Sequence, residues 1–309
     1  MVTNIPTHED FTRVGIEQTM FSLDMVLNLL SDLSDYDPSI DHGDSDENDE
    51  ALSEYWTAAH RILTNATSTL QQGVEFLIKG RIAAVSPYLL IDNSRELGKF
   101  KNQESISFAS FRTIDAQDLI LLNNIFTESR LSEEFTSKYT QMRELRNSIM
   151  HTIDSDLNIT VKEVIISILE VVHTLLPEIH LPSEFKEYYE NSPPSILYGD
   201  DGSEGNTEML FWRIYELLNR SERQKYMDIG RGRKYFCPVC YEQCQIYSIG
   251  EPKMAVLSPN SPQSEDLYCY VCNVKHPIKR ENCMSNAECQ GNVIYTNYED
   301  FCCSCGSSS

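Results

Sequence analysis

The sequence predicts a mainly α-helical fold, with a bundle of four to five helices followed by a small β-rich domain. Apolar residues recur at helical spacing in the first part of the chain, for example over 11–31 and 132–151. All ten cysteines follow residue 236, among short segments rich in Tyr, Val and Ile that are typical of small hairpins. With 309 residues, the chain is long enough for two domains.

The expected organisation has four parts along the chain. Residues 1–181 form the helical bundle, which an acidic loop over 31–54 interrupts. A segment rich in Pro, Gly, Ser and acidic residues over 182–207 predicts an interdomain linker. A connecting helix over 208–228 then leads into the cysteine-rich domain over 229–309.

Capping residues mark predicted helix boundaries within the bundle. Residues 52–86 predict one long helix or two joined helices, and Asp115 caps a further helix. Thr160 and Glu163 form a capping box in front of the segment VKEVIISILEVVHTLL. Because this segment is apolar around most of its circumference, we expect a central, buried helix.

The charge of the chain excludes some classes of protein. A formal net charge of −22 argues against a protein that coats nucleic acid by bulk electrostatics. Residues 31–54 hold ten acidic side chains and no basic one, which is typical of a solvated segment, and a mimic of nucleic acid is the alternative. No apolar run is long enough to span a bilayer, and the N-terminus lacks the pattern of a secretory signal. We therefore expect a cytoplasmic protein with no membrane partner.

The most informative segment of the helical part is Glu144-Leu-Arg146-Asn147-Ser-Ile-Met-His151. On a regular helix Asn147 and His151 share a face, whereas Arg146 is offset from Asn147 by about 100°. Arg146 and His151 can therefore act on one phosphate only if the helix ends near His151 or if a second copy of the motif contributes. The structural alternative is that both residues complement the negative end of the helix dipole.

Two stretches resemble the HEPN superfamily, which includes metal-independent ribonucleases of toxin–antitoxin and antiviral systems. RNSIMH resembles the Arg-Asn-x3-His form of the family motif. LQQGVEFLIKGRIAAVSPYLLI resembles the second helix of the family, with Glu75 in the place of its frequent acidic residue. The resemblance implies a helical bundle that forms a homodimer and acts on RNA, and it allows for an antitoxin or another regulatory protein as a partner.

The resemblance also implies a catalytic role for four residues. His151 would move the proton of the RNA 2′-hydroxyl, because an imidazole titrates near neutral pH. Arg146 would bind the phosphate and stabilise its developing charge. Asn147 would orient the histidine or bind phosphate, and Glu75 would orient Arg146 or tune His151. The competing interpretation is a non-catalytic assembly module, because other members of the superfamily use the fold for binding only.

The cysteines predict two structural zinc ions. Two Cys-x2-Cys pairs, at 237–240 and 269–272, are separated by 28 residues, a spacing that suits a two-hairpin zinc ribbon. A second set begins at residue 283 and ends with a third such pair at 302–305. The predicted ligands are Cys237, Cys240, Cys269 and Cys272 at the first site and Cys283, Cys289, Cys302 and Cys305 at the second. Cys244 and Cys303 are left over, and His276 could replace a thiolate in either set.

The cysteine-rich part favours a structural role for the metal, because four thiolates leave no coordination position for a reactive water. Zinc ribbons of this kind bind protein or nucleic acid, or only stabilise the domain. Arg231, Arg233 and Lys234 lie directly before Tyr235 and Phe236. This run predicts a surface that contacts phosphate and stacks a base. The alternative is a solvated entry strand.

Overall fold

The chain is mainly helical with a C-terminal antiparallel sheet. The computed structural model describes residues 1–35, 45–92, 100, 103–151, 159–198, 203–230, 232–246, 252–297 and 300–308, with some helix-end residues described by backbone alone. In this part of the chain there are ten α-helices and seven short strands. The helices and strands divide into two compact units, Met1–Pro177 and Glu178–Ser309.

The first unit is a helical bundle. Its five helices in the described ranges are α1 (His8–Asp35), α2 (Ser45–Val85), α3 (Ala116–Phe126), α4 (Glu133–His151) and α5 (Val161–Leu175). Two short strands, β1 (Val2–Thr3) and β2 (Ile106–Ser107), pair in parallel at its edge. The described part of the first unit therefore has the number of helices that the sequence predicts.

Helix α2 is the centre of this unit, because it contacts α1, α3, α4 and α5. Its closest approach is to α1, where two glycines face each other. A Cβ atom added to Gly73 would lie 3.0 Å from the carbonyl oxygen of Gly15. The two backbones thus approach closely at this point, and Leu27 of α1 and Ile78 of α2 are both buried in the core of the unit.

Helix α5 begins as the sequence predicts. Thr160 Oγ1 accepts from the Glu163 backbone N–H at 3.3 Å, and the Glu163 carboxylate accepts from the Thr160 N–H at 2.9 Å. This capping box satisfies two donors that the helix itself cannot pair. Nine of the fifteen residues of α5 are buried, as expected, but the central helix of the unit is α2 and not α5.

The sequence predicts a loop over 31–54, but helices cover part of this acidic stretch. Helix α1 continues to Asp35 and α2 already begins at Ser45, whereas residues 36–44 lie outside the described part of the chain. Acidic residues favour the N-terminal end of a helix through its dipole, which is consistent with this early start of α2. The Tyr55 hydroxyl fixes the pairing of the two helices by donating to the Leu29 carbonyl at 2.6 Å.

The second unit combines short helices with one sheet. Its described helices are α6 (Leu181–Glu190), α7 (Pro193–Tyr198), α8 (Ser203–Leu217), α9 (Arg220–Met227) and α10 (Pro238–Ile246). The strands are β3 (Ala255–Leu257), β4 (Asp266–Cys269), β5 (Val274–Lys279), β6 (Ile294–Tyr295) and β7 (Phe301–Cys302). They follow one another as an antiparallel meander in the order β3-β4-β5-β6-β7, which agrees with the expected small hairpins.

The stretch over 182–207, for which the composition predicts a linker, is largely helical. Helices α6 and α7 and the start of α8 occupy it, and the boundary between the two units falls after Pro177. The reason is a long-range contact: Phe185 is buried and meets Phe211 of α8 edge to face, at 6.1 Å between ring centroids.

The predicted connecting helix over 208–228 is interrupted and forms two helices, α8 and α9. The Asn219 side chain accepts from the N–H groups of Ser221 and Glu222, and the Glu222 carboxylate accepts from the Asn219 N–H at 2.7 Å. An asparagine that hydrogen-bonds local backbone groups in this way starts a new helix instead of continuing the previous one.

Candidate metal centres and the α4 surface

The first four-cysteine group joins α10 to the β4–β5 hairpin. Cys237 precedes α10 and Cys240 lies in its first turn, where Pro238 is compatible with a helix start because its missing N–H would be unpaired there. Cys269 ends β4, and Cys272 lies in the turn before β5. The turn closes through Asn273 in the left-handed region, with φ of 58°. The first pair therefore lies on a helix rather than on the hairpin that a two-hairpin ribbon predicts.

The second four-cysteine group ties the segment after β5 to the last hairpin. Cys302 ends β7 and Cys305 follows in a tight turn, where the Gly306 N–H donates to the Cys302 carbonyl at 2.8 Å. Gly306 has φ of 77°, which a residue with a side chain adopts only under strain. Cys283 and Cys289 complete the group, and a backbone N–H from Gly291 points at the Cys289 sulfur at 3.3 Å.

The sulfur positions in both groups fit a metal ion. In the first group Cys237 and Cys272 are 3.8 Å apart, as are Cys240 and Cys269. The corresponding distances in the second group are 3.8 Å and 3.9 Å. A tetrahedron whose corners lie about 2.3 Å from its centre, the usual zinc–thiolate distance, has an edge of roughly 3.8 Å. These separations are almost twice the length of a disulfide bond, and all ten cysteines are free.

The eight cysteines of the two groups are the eight that spacing assigns. In each group the four sulfur atoms lie within 4.8 Å of one another, so the chain has two sets of thiolates positioned to bind metal ions. His276 stays outside the first group of four but touches it. Its Nε2 atom lies 3.2 Å from Cys237 Sγ and 3.6 Å from Cys272 Sγ, and the ring is buried. An imidazole in this position can donate a hydrogen bond to a ligand sulfur.

The two left-over cysteines are buried thiols that belong to neither group. Cys244 lies one turn after Cys240 on α10 and donates to Glu208 Oε2 at 3.5 Å. Burial raises the pKa of the Cys244 thiol, and it raises the pKa of Glu208 to about 7. Burial also raises the pKa of Cys303 to about 12, so that the thiol form dominates. No sequence pattern points to Glu208, because only the fold brings it to α10 beside Cys244.

The predicted catalytic motif lies in the last described turns of α4. Arg146 and Asn147 are both exposed, and the guanidinium donates to the Asn147 side-chain oxygen at 3.4 Å. A helix end near His151, the condition for Arg146 and His151 to approach one phosphate, stays a prediction because residues 152–158 lie outside the described part of the chain. The His151 side chain itself lies outside the described part of the chain.

Glu75 lies beside a different part of α4. Burial, and next the negative charge of Glu75, raise the pKa of the Tyr139 hydroxyl, which donates to the Ala116 carbonyl at 2.7 Å. Glu75 accepts from the Gln71 amide at 3.4 Å. Tyr139 precedes Arg146 by seven residues, or roughly 10 Å along a helix. The structure therefore places Glu75 near Tyr139, and its role beside Arg146 or His151 stays a prediction.

The aromatic residues before the first cysteine pair are in the core. Tyr235 and Phe236 are 5% and 3% exposed, so neither ring can stack on a base, and that prediction was wrong. Phe236 packs against Tyr241 at 4.7 Å between centroids, and Lys253 Nζ lies over the Phe236 ring, 4.2 Å from its centroid. Arg231 lies outside the described residues, and Arg233 is exposed.

Comparison with protein-family models, with curated proteins and with solved structures gave no match to this chain. The resemblance to the HEPN superfamily thus remains a prediction that rests on the quoted motifs. Across the described ranges, no helix combines the length and the apolar character that a bilayer crossing requires.

Proposed function

We propose that the protein is a metal-independent endoribonuclease of the toxin or antiviral type, with Arg146, Asn147 and His151 as its catalytic residues. The observation that supports this most directly is the exposure of the Arg146–Asn147 pair on α4. Both side chains are open to solvent, and the Arg146 guanidinium donates to the Asn147 side-chain oxygen at 3.4 Å. The proposal requires the helix to end near His151, or a second copy of the motif, so that an imidazole reaches a phosphate bound by Arg146.

The reaction follows from the chemistry of these side chains. An imidazole removes the proton of the 2′-hydroxyl, the 2′-oxygen bonds to the adjacent phosphorus, and the bond from phosphorus to the 5′-oxygen breaks. A second imidazole, from a second copy of the chain, protonates the leaving oxygen. The Arg146 guanidinium binds the phosphate and stabilises the charge that builds on its oxygens. The products are a 2′,3′-cyclic phosphate and a 5′-hydroxyl.

A homodimer is part of this proposal, and one exposed surface supports it. Helix α3 leaves Leu121 and Ile125 60% exposed and Phe126 44% exposed, on consecutive turns. Contiguous apolar surface of this kind is typical of protein interfaces. A second copy of the chain is the occupant that a composite site requires.

Zinc is the metal that we propose for the two four-cysteine groups. Four thiolates at tetrahedral separation select zinc among the common divalent ions, and such closed sites stabilise small domains. The role that we assign to them is structural, and the ribonuclease chemistry does not pass through them.

The decisive test is cleavage of a mixed RNA pool in EDTA, with the metal content and oligomeric state of each sample measured beforehand. We expect wild-type protein to leave cyclic-phosphate ends, and His151→Ala and Arg146→Ala each to reduce cleavage by at least about a hundredfold. His8→Ala and Arg13→Ala remove the same side chains from exposed positions near the N-terminus and should cleave normally. Cleavage that survives in His151→Ala would sink the mechanism.

The second candidate is a non-catalytic assembly module. The observation that favours it is the charge of the first unit, since residues 1–177 hold 28 acidic and 13 basic side chains, which repels RNA. Absence of cleavage by a metal-loaded dimer would decide for this candidate.

A further inference from the structure

One segment of the second unit is basic, although the chain as a whole is acidic. Residues 220–234 hold six basic and two acidic side chains, in a protein with a net charge of −22. Helix α9 is capped at its C-terminal end by Asp228, whose φ is 52°, and the Ile229 N–H donates to the Arg223 carbonyl at 3.3 Å. Lys234 Nζ donates to the Gly230 carbonyl at 2.8 Å. The chain therefore turns back after α9, and Lys234 lies near this helix.

Three cations of this segment, Arg220, Arg223 and Lys234, lie within electrostatic range of one another, and Arg233 directly precedes Lys234 in the sequence. Burial lowers the pKa of Lys234, and the positive charges of Arg223 and then Arg220 lower it further. Like charges in proximity cost free energy unless an anion compensates them. Arg220 and Arg233 are exposed, which leaves both guanidinium groups accessible to a ligand.

The carboxylates of the same segment are engaged locally. Glu222 accepts from the Asn219 N–H at 2.7 Å as part of a capping box, and Asp228 accepts from the Gln224 amide at 2.8 Å. Among the residues that the structure describes, Arg220, Arg223, Arg233 and Lys234 form no ion pair with a carboxylate. Lys234 and Arg223 donate to backbone carbonyls, Arg223 also to that of Glu216 at 3.4 Å, so the exposed Arg220 and Arg233 are the groups of the cluster that an external anion can reach.

An aromatic stack adjoins these cations. The rings of Trp212 and Tyr215 on α8 stack at 5.1 Å between centroids, with 15° between their planes. The Arg223 guanidinium lies 3.9 Å from the Tyr215 centroid, and its Nε donates to the Tyr215 carbonyl at 2.7 Å. Trp212 and Tyr215 are both half-buried, so part of each ring meets solvent.

We infer that Trp212, Tyr215, Arg220, Arg223 and Arg233 form a binding surface for single-stranded RNA. Flat rings accept bases regardless of sequence, and neighbouring guanidinium groups bind the phosphates between them. An acidic peptide would use the cations but has no base to add to the stack. This inference deepens the proposed function, because it names a surface that would hold the substrate strand, but its test does not depend on cleavage.

The test uses the full-length, metal-loaded protein and a fluorescein-labelled 12-nucleotide RNA with 2′-O-methyl groups, which no ribonuclease of the proposed kind can cleave. Anisotropy is titrated at several salt concentrations. The double variant Arg220→Gln/Arg233→Gln should bind more weakly. It should also reduce the magnitude of the slope of log K against log salt by about 1.4, because each of the two lost phosphate contacts contributes about 0.7. Lys186→Gln removes a cation of the same unit that pairs with Glu190 and should leave the slope unchanged.

Stacking has its own readout, because the chain contains two tryptophans. In a Trp56→Phe background, RNA should quench the fluorescence of Trp212 at the concentrations that raise the anisotropy. Equal affinity and slope for the double variant and Lys186→Gln would overturn the inference. Quenching that is absent at saturation would also overturn it, as would equally tight binding of duplex RNA or displacement by polyglutamate of equal charge. If the protein binds this RNA but cleaves no unmodified RNA, the ribonuclease proposal is refuted and the binding inference stands.

Discussion

The two units of this chain reach a stable structure by different means. The first unit buries helix faces, with nine buried residues in α5 alone and glycines that let α1 and α2 touch. In the second unit, short strands and helices converge on two groups of four cysteines. Strands of two to six residues have little apolar surface to share, so we expect a metal ion held by each group to add to the apolar packing of the second unit. One unit thus depends on apolar burial alone, whereas we expect the other to depend on burial and coordination together.

The largest effect should come from breaking the coordination of the second unit. Cys240→Ser removes a ligand, so we expect one of two bound zinc ions to be lost and the surrounding structure to unfold. Cys244→Ser is the matched control, because Cys244 lies one turn later on α10, is also buried, and belongs to neither group.

Metal content by mass spectrometry and limited proteolysis would measure this outcome. Helicity of the first unit should persist in both variants. Loss of metal from Cys244→Ser to the same extent would show that the ligand set differs from the geometric one.

A smaller effect should come from the core of the first unit. Ile78 of α2 is completely buried, whereas Ile62 on the same helix is 38% exposed. Ile78→Ala should lower the free energy of unfolding by about 2–5 kcal/mol, because it removes apolar contacts and leaves a cavity. Ile62→Ala should change it by well under half of that. Urea titration followed by circular dichroism measures both, and an unchanged metal content would confirm that the damage stays in the first unit.

The smallest effect concerns a carboxyl group that weakens the first unit. Asp24 of α1 is half-buried, and burial raises its pKa although the Asn28 amide donates to it at 3.4 Å. When the pKa of a carboxyl group is higher in the folded state than in the unfolded state, its ionisation lowers the free energy of unfolding as pH rises. Asp24→Asn should therefore raise the urea midpoint at pH 7, and the gain should vanish below pH of about 4.

Asp118→Asn removes the same charge from an exposed position and controls for net charge. A gain for Asp24→Asn that does not depend on pH would refute the assignment to ionisation.

Features that depend on spacing along the chain could be predicted from the residues alone. Helical periodicity placed the helices of the bundle, Thr160 and Glu163 identified the start of α5, and cysteine spacing separated two groups of four ligands. These patterns are local, or they repeat a coordination geometry that fixes its own spacing.

Features that depend on distant neighbours became visible in the tertiary structure alone. Composition indicated a linker over 182–207, but most of the described residues of this stretch are helical, and Phe185 packs there against Phe211. Phe236 lies in the core instead of on the surface, and Glu75 lies near Tyr139. Burial and through-space charge come from residues far apart in sequence, so no local pattern carries them.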